Sequence, residues 1–255
     1  MASGARVARS DCAPMNDDAD LQILYRDPWL AAVNKPSGLM VHRSRLNADR
    51  EVALQRLRDQ LGQWVYPAHR LDRATSGVLL FALDSNTAQG LNLAFTRREP
   101  DKRYLAVTRG YTETGGVIDY RLRETRESEP RPAVTHYRRL ARVELPIPVG
   151  RYRTARYSLV EVRPETGRMH QIRKHFAHLR HPLIGDTTYG EGRHNRLFRE
   201  HFGIHRLLLH ARQLGLAHPC SGRPLVIHAP LPPALAALFS RLGWSDWVAE
   251  AEASA

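Results

Sequence analysis

The apolar positions of the chain fall mostly into short runs, which predict strands rather than long helices. Some of these runs are continuous, and others alternate with polar residues. The predicted strands cover residues 21–25, 30–33, 65–68, 78–83, 104–107, 117–122, 134–143, 157–162, 207–216 and 225–228. The run at 78–83 is apolar throughout, which is typical of a buried strand.

Apolar residues at helical spacing predict four amphipathic helices between these strands. The first opens at Asp49 and ends at Gly62, and the second begins after Ser85, which we predict as its N-cap. The third covers about residues 170–180, and the fourth follows a Pro-Pro pair at 232–233. The faces predicted to point inward carry Leu54, Leu57, Leu61, Ala88, Leu91, Phe95, Ile172, Phe176, Leu179, Leu235, Leu238, Phe239 and Leu242.

The order of these elements predicts an α+β fold. Strands outnumber helices and do not alternate with them regularly, which argues against a doubly wound parallel sheet. We expect a single domain over residues 21–244, with a large mixed, mostly antiparallel sheet flanked by helices and loops. Residues 1–20 show no apolar period and are predicted to be a disordered N-terminal tail, and residues 245–255 a C-terminal tail.

Composition excludes several classes of protein. Apolar residues make up 42% and charged residues 25% of the 255 positions, as in an ordinary folded protein. The longest apolar run, at 78–83, is far short of the roughly 20 residues that span a bilayer. No apolar stretch follows Arg6 and Arg9, so a signal peptide is not expected. The two cysteines, Cys12 and Cys220, do not suggest a disulfide framework, and a cytosolic location is predicted.

The charge balance points to a polyanionic partner. The chain carries 38 lysines and arginines against 26 acidic residues, a formal net charge of +12. Such an excess favours nucleic acid or an anionic membrane surface. A surface that is merely basic is the alternative.

The first polar cluster that interrupts the pattern is His-Arg-Leu-Asp-Arg-Ala-Thr-Ser-Gly at 69–77. Its carboxylate, Asp72, follows a short predicted strand and precedes the buried one. An aspartate in that place can simply be a turn residue or a cap. The neighbouring hydroxyls and amides could instead hold a substrate. Ser76 is a poor candidate for a hydrolase nucleophile because the Gly-x-Ser-x-Gly pattern is absent.

The second cluster is Lys-Arg-Tyr at 102–104, at the start of a predicted strand. Tyr104 can be a half-buried packing residue of the sheet. Alternatively, its ring can stack on a nucleobase, an interaction worth about 1–3 kcal/mol per base.

The third cluster joins residues 166–173 to residues 181–190, and eight of the 13 histidines lie between positions 163 and 212. The histidines do not predict a metal site, because neither His-Glu-x-x-His nor paired cysteines occur there. A basic face lying along RNA phosphates fits the charge better. That face of the predicted helix carries His170, Lys174, His178 and His181.

These clusters together resemble the RluA-type pseudouridine synthases. The motifs at 69–77, 102–104, 167–173 and 181–190 occur there in the same order: His-Arg-Leu-Asp-x-x-Thr-Ser-Gly, Lys-x-Tyr, Gly-Arg-x-His-Gln-Ile-Arg and His-Pro-Leu-Ile-Gly-Asp-x-x-Tyr-Gly. The resemblance extends over residues 21–244, which it implies to be the catalytic domain.

The resemblance implies a role for each motif. Asp72 would be the catalytic carboxylate, either as nucleophile towards the nucleoside or as the base that removes a ribose proton to give a glycal. Arg168 would pair with Asp72, and Tyr104 would pack on the target base. Arg70 would enter the RNA stack where the flipped uridine has left, and Ile172 would wall the pocket. The residues expected to bind substrate or RNA are Arg70, Ile172, Lys102, His69 and Arg173.

The resemblance also implies a substrate. Segments at 34–44, 132–137 and 194–203 are similar to family members that act on tRNA, at uridine 65 in the stem of the T arm. The reaction needs no cofactor and no metal, and we expect a monomer that does not bind membranes. Two alternatives stay open: a synthase that acts on ribosomal RNA, and a non-catalytic RNA-binding or chaperone protein.

Overall fold

The computed structural model describes residues 20–43, 51–125 and 127–247. Cys12, Asp49 and most of both predicted tails lie outside these residues. The strands are β1 Ile23–Arg26, β2 Leu30–Lys35, β3 Tyr66–Pro67, β4 Ser76–Ala82, β5 Asp101–Arg109, β6 Gly115–Asp119, β7 Val134–Leu145, β8 Ala155–Pro164, β9 Leu209–Ala217 and β10 Pro224–His228. The helices are α1 Ala53–Leu61, α2 Ser85–Thr96, α3 Gln171–His178, α4 Gly192–Phe202 and α5 Pro233–Arg241.

The ten strands form one sheet. Its main path runs β1-β2-β4-β9-β5-β8-β7-β6, with β3 paired to β4 and β10 paired to β9. The pairing of β4 with β9 is parallel, and the other strand pairings are antiparallel. The predicted α+β fold with a mixed, mostly antiparallel sheet is therefore confirmed.

The parallel pairing places the loop before β4 against the centre of the sheet. Ser76 lies opposite His210, and Gly77 lies opposite Ala211. Gly77 has a φ of +114°, and a Cβ built there would lie 2.1 Å from the carbonyl oxygen of Ala211. Only glycine fits this close approach. It brings the loop between β3 and β4, which carries Asp72, next to β9 and β5.

Helices cover both faces of the sheet because alternate residues of each strand point to opposite sides. On β5, Leu105 and Val107 pack with α4 and α5, whereas Ala106 packs with Ile172 and Phe176 of α3. Helix α1 packs on β2 and β4, and α2 packs on the other face of the same strands. Within the described ranges, no helix is long and apolar enough to cross a bilayer.

Two local predictions are wrong. The N-cap of α2 is Asp84 and not Ser85, because the Asp84 carboxylate accepts hydrogen bonds from the amide and the hydroxyl of Thr87, at 2.8 and 2.6 Å. Helix α4 was not predicted at all. Two of its buried residues, His194 and Asn195, are polar and so interrupt the apolar period that would have revealed it.

Candidate active site

The larger of the two cavities described here has a volume of about 790 Å³. It lies where the loop between β3 and β4 meets the start of β5 and the N-terminus of α3. Its wall includes the eight residues to which the resemblance gave a catalytic or binding role: Asp72, Arg168, Tyr104, Arg70, Ile172, Lys102, His69 and Arg173.

The segment after β2 holds the Asp72 loop in place. The amide of Gly38 donates to the carbonyl of Arg73 at 2.8 Å, and the Ser37 hydroxyl donates to the carbonyl of Ala74 at 2.7 Å. The loop closes on itself through the amide of Thr75, which donates to the carbonyl of Asp72 at 3.0 Å. Asp72 therefore stands on a turn whose backbone is fixed on both sides.

A buried lysine ties the same two segments together. The Lys35 ammonium donates to the carbonyls of Pro36, Leu39 and Arg73 at 2.8, 2.7 and 3.3 Å. Burial lowers the pKa of Lys35 to about 7, the charge of Arg206 lowers it too, and the Asp72 carboxylate acts in the opposite direction. Lys35 thus supports the loop, and at pH 7 it is protonated in about half of the molecules.

Asp72 shares an arginine with a second, buried carboxylate. Arg173 donates through Nε and Nη2 to the two oxygens of Asp186, at 2.7 and 2.8 Å. Its remaining nitrogen, Nη1, lies 3.5 Å from Asp72 Oδ2. Burial alone would raise the pKa of Asp186, but hydrogen bonds from Arg173 and from the amides of Tyr189 and Thr188 hold that pKa below its usual value.

This arrangement corrects the pairing predicted for Asp72. Arg168 is partly buried and lines the cavity, but its Nε donates to the carbonyl of Pro132 at 3.3 Å. Arg168 lies in the turn before α3, whereas Arg173 lies in the first turn of the helix and is buried. The helix phase therefore directs Arg173 at Asp72. The prediction that Arg168 pairs with Asp72 is wrong, and Arg173, predicted as an RNA contact, takes that place.

Tyr104 lies on β5 beside Asp72. Its ring is half-buried and packs against two of the hydrophobic clusters that meet at the cavity. Burial raises the pKa of the phenol, and the negative charge of Asp72 raises it further. The hydroxyl therefore stays protonated at neutral pH, and the ring forms part of the cavity wall with Ile172.

Two further motif residues lie at this site: His170, which was predicted on the face that lies along RNA phosphates, and Tyr189, to which no role was given. His170 has a left-handed backbone, with a φ of 56°, and its Nδ1 is 3.0 Å from the hydroxyl of Tyr189. Its Nε2 lies 3.9 Å from Asp72 Oδ1. Burial lowers the pKa of His170, while Asp72 partly offsets this effect. The ring is therefore mainly neutral at pH 7 and faces the cavity beside the carboxylate.

Several other histidines serve the fold. His175 is completely buried, with its two ring nitrogens 2.9 Å from Thr135 Oγ1 and 3.0 Å from the carbonyl of Tyr120. His178 stacks on the ring of Tyr120, with 3.8 Å between the ring centroids. Lys174 donates to the carbonyl of Arg123 at 2.7 Å. These contacts dock α3 on the segment after β6, and phosphate binding by this face stays a prediction.

His69 also supports the site rather than facing the cavity freely. Its Nε2 accepts a hydrogen bond from the amide of Leu80 at 3.2 Å, and its ring stacks on Phe95. Burial lowers the pKa of His69 to about 4. The ring is therefore neutral, and this geometry fits a structural role better than the predicted RNA contact.

The mouth of the cavity is basic. Arg70, Arg98, Lys102 and Arg168 line it, together with two acids, Glu124 and Glu165. Arg70 is exposed and stands two positions before Asp72. In the part of the chain that the structure describes, no three side chains of His, Cys, Asp or Glu lie close enough to hold a metal ion.

Comparison with known proteins places this site in a family. The model of the RNA pseudouridylate synthase family matches residues 30–178, more than half of the chain. The chain belongs to this family. Its members convert uridine to pseudouridine, so the protein is an isomerase. The predicted family membership is therefore confirmed, and the matched segment includes the Asp72 loop, Tyr104 and Arg173.

Individual relatives agree with the family assignment. The chain is 51% identical to tRNA pseudouridine synthase C of Vibrio cholerae over 237 residues, which cover 89% of this chain and 97% of the relative. It is 50% identical to tRNA pseudouridine synthase C of Salmonella typhi, over 88% of this chain and 90% of the relative. Among solved structures, human RNA Pseudouridylate Synthase Domain Containing 1 superposes with a TM-score of 0.68 at 29% identity, covering 86% of each chain.

Proposed function

We propose that this pseudouridine synthase acts on tRNA in the cytosol, at uridine 65 in the stem of the T arm, with Asp72 as the essential carboxylate. The observation that carries the proposal is the pairing of Asp72 with Arg173 beside Tyr104 in one basic cavity. The choice of tRNA rests on the names of the most similar relatives and on the charge of the chain.

The reaction rearranges bonds without oxidation or net hydrolysis. The bond from ribose C1′ to uracil N1 breaks, the base turns over, and a bond from C1′ to C5 forms. The proton on C5 is lost and N1 gains one, so the product is an isomer of the substrate. Asp72 serves this sequence either as nucleophile towards the nucleoside or as the base that removes a ribose proton, and both roles need an ionised carboxylate.

Arg173 orients Asp72 and places a positive charge beside its carboxylate. Because Asp186 occupies Nε and Nη2, the guanidinium cannot rotate, and it offers Asp72 a single nitrogen. One oxygen of Asp72 therefore stays available to the substrate, while the other is held.

The remaining wall residues fit a flipped uridine. A uridine inside a stem must leave the helix before it can react, at a cost of a few kcal/mol. Tyr104 offers an aromatic face to the extruded base, and Ile172 offers an apolar wall. Arg70 is exposed on the loop that carries Asp72, where its guanidinium can fill the gap left in the RNA stack.

The decisive experiment maps pseudouridine in cellular RNA by carbodiimide adduct sequencing. Deletion of the gene should remove one mark, at position 65 of tRNA, and a plasmid with the wild-type gene should restore it. Loss of a mark in ribosomal RNA would overturn the choice of tRNA. Loss of no mark would overturn the proposed activity.

Asp72→Asn tests the carboxylate. The side chain keeps its shape but loses its charge, so we expect no turnover, with tRNA affinity within about threefold of wild type because RNA affinity comes mainly from phosphate contacts. Release of tritium from 5-tritiated uridine in a tRNA transcript measures turnover, and filter binding measures affinity. Turnover by the purified variant close to that of wild type would contradict the assignment of Asp72.

A further inference from the structure

A second cavity, of about 480 Å³, lies where β5 ends and β8 begins. The loop that joins β7 to β8 and the N-terminus of α4 complete its wall. Tyr104 and Arg109 are five residues apart on β5, which separates them by about 16 Å along the strand and places them on opposite faces. This cavity is therefore separate from the one that holds Asp72.

Arginine dominates the wall of this second cavity. Five arginines line it against one acid, Glu191, and the five are Arg109, Arg151, Arg153, Arg156 and Arg193. Glu191 is already paired with Arg109 at 2.5 Å, and Arg156 is paired with Glu144 at 3.2 Å. Across residues 20–43, 51–125 and 127–247, Arg151, Arg153 and Arg193 have no carboxylate within 4.0 Å.

The local backbone brings these charges together. Val149 and Tyr152 exchange backbone hydrogen bonds of 3.0 and 3.2 Å, which closes the loop into a tight turn. Gly150 in this turn has a φ of +60°, and a Cβ there would lie 2.7 Å from Nη1 of Arg193. Glycine therefore lets the guanidinium from α4 lie directly against the loop that carries Arg151 and Arg153.

An aromatic ring accompanies the arginines. Tyr152 is 59% exposed, and the guanidinium of Arg151 lies over its ring at 5.2 Å. Clustered guanidinium groups repel one another, and an anion between them relieves that repulsion. Arginine is the side chain best shaped to bind phosphate oxygens in pairs, and tyrosine adds a surface for a sugar or a base.

We propose that this arginine cavity binds phosphate groups of the RNA substrate outside the stem that carries the target uridine. The inference rests on the proposed function, because a tRNA substrate extends beyond the stem that is held at Asp72. RNA is favoured over a free anion because the unpaired arginines are exposed and lie on two segments, the loop and α4, as contacts to successive phosphates require.

The test compares two RNAs and two double variants. R153E/R193E reverses two charges of the cavity, and R26E/R223E reverses two exposed arginines that line neither cavity. Each variant lowers the net charge equally. Dissociation constants are measured for full-length tRNA and for an isolated T-arm hairpin over a range of salt concentrations, and thermal melting checks that both variants are folded.

We expect R153E/R193E to weaken binding of full-length tRNA about tenfold or more and to reduce the salt slope by about 2, as loss of two phosphate contacts predicts. Binding and turnover of the hairpin should stay within about twofold, and R26E/R223E should leave the preference for full-length tRNA intact. Equal weakening of both RNAs, equal effects of the two variants, or unchanged tRNA binding would each overturn the inference.

A protection experiment distinguishes RNA from free phosphate as the ligand of the cavity. Inorganic phosphate at millimolar concentration should not protect the cavity arginines from phenylglyoxal, whereas full-length tRNA should. Protection by phosphate but not by tRNA would overturn the inference. Failure of the wild-type enzyme to modify either RNA would instead refute the proposed function, so the two failures are distinguishable.

Discussion

At the scale of single residues, the site depends on which of two arginines meets Asp72. Arg168 and Arg173 belong to the same motif, and each could be imagined to pair with a carboxylate. Arg173 is the residue that α3 turns inward, where its side chain is 7% exposed and that of Asp186 is 1% exposed. The family resemblance implies that this motif lies near Asp72, but the phase of the helix decides which arginine meets the carboxylate.

Replacing each arginine by alanine tests this selection. R173A leaves Asp186 buried without its cation, a change that typically costs about 3–5 kcal/mol, and turnover should fall to background. R168A removes a partly buried side chain with one long hydrogen bond, so its free energy of unfolding should fall by no more than about 1.5 kcal/mol. Urea denaturation and single-turnover kinetics measure both effects. A larger loss of stability for R168A than for R173A would contradict the structure.

At the scale of elements, the ends of strands position the site. Asp72 does not lie on a helix or a strand, and its loop is fixed by the segment that follows β2. The stretch Asn-Lys-Pro-Ser-Gly at 34–38 contains the end of β2 and a turn at Ser37 and Gly38. That its lysine is buried beneath the catalytic loop could not be predicted, because lysine is rarely fully buried.

Lys35→Met tests the support of this loop. Methionine fills a similar volume but leaves three carbonyl groups without their donor, and an unsatisfied buried group costs about 1–3 kcal/mol. We expect a lower melting temperature and a kcat reduced more than KM is raised, because Asp72 loses its fixed position. Lys102→Met is the matched control for the melting temperature only, since that lysine lines the cavity and has one long hydrogen bond, to the carbonyl of Thr166 at 3.5 Å. A wild-type kcat for K35M would contradict the argument.

Helix α4 shows where the prediction of helices from apolar periodicity fails. Its buried His194 bonds to the hydroxyl of Tyr157, and its buried Asn195 accepts from the amide of Gly185 and donates to the carbonyl of Asp186. These partners come from distant segments. A polar residue with such partners can face the core. The apolar periodicity of the helix is then interrupted, and a prediction from hydropathy alone assigns the segment to a loop.

At the scale of the whole molecule, buried neutral histidines predict acid sensitivity. Burial lowers the pKa of His69 and of His210 to about 4 in each case, from a usual value of 6.5. Between pH 4 and pH 6.5, the unfolded chain therefore binds more protons than the folded chain. Stability should be complete above pH 6.5 and fall progressively as the pH is lowered to about 4.

Urea denaturation between pH 7.5 and pH 4 measures this loss. His210→Asn should reduce the slope of stability against pH, because it removes one of the histidines whose pKa burial lowers to about 4, although it also disturbs the hydrogen bond to Ser76. The exposed His205 provides the control, since His205→Asn should leave the slope unchanged. Stability that is independent of pH in this range would contradict the burial of both histidines.

The sequence by itself determined the family, the fold class and the set of residues around the cavity, because these follow from local patterning and from motifs whose residues are adjacent in the chain. Tertiary structure decided which side chains touch. Helix phase directed Arg173 rather than Arg168 at Asp72, and the parallel pairing of β4 with β9 set the Asp72 loop beside Tyr104. The arginine cavity, too, forms only where the end of β5, the loop between β7 and β8 and the start of α4 meet. These segments are distant in the sequence, so no local sequence pattern predicts the cavity.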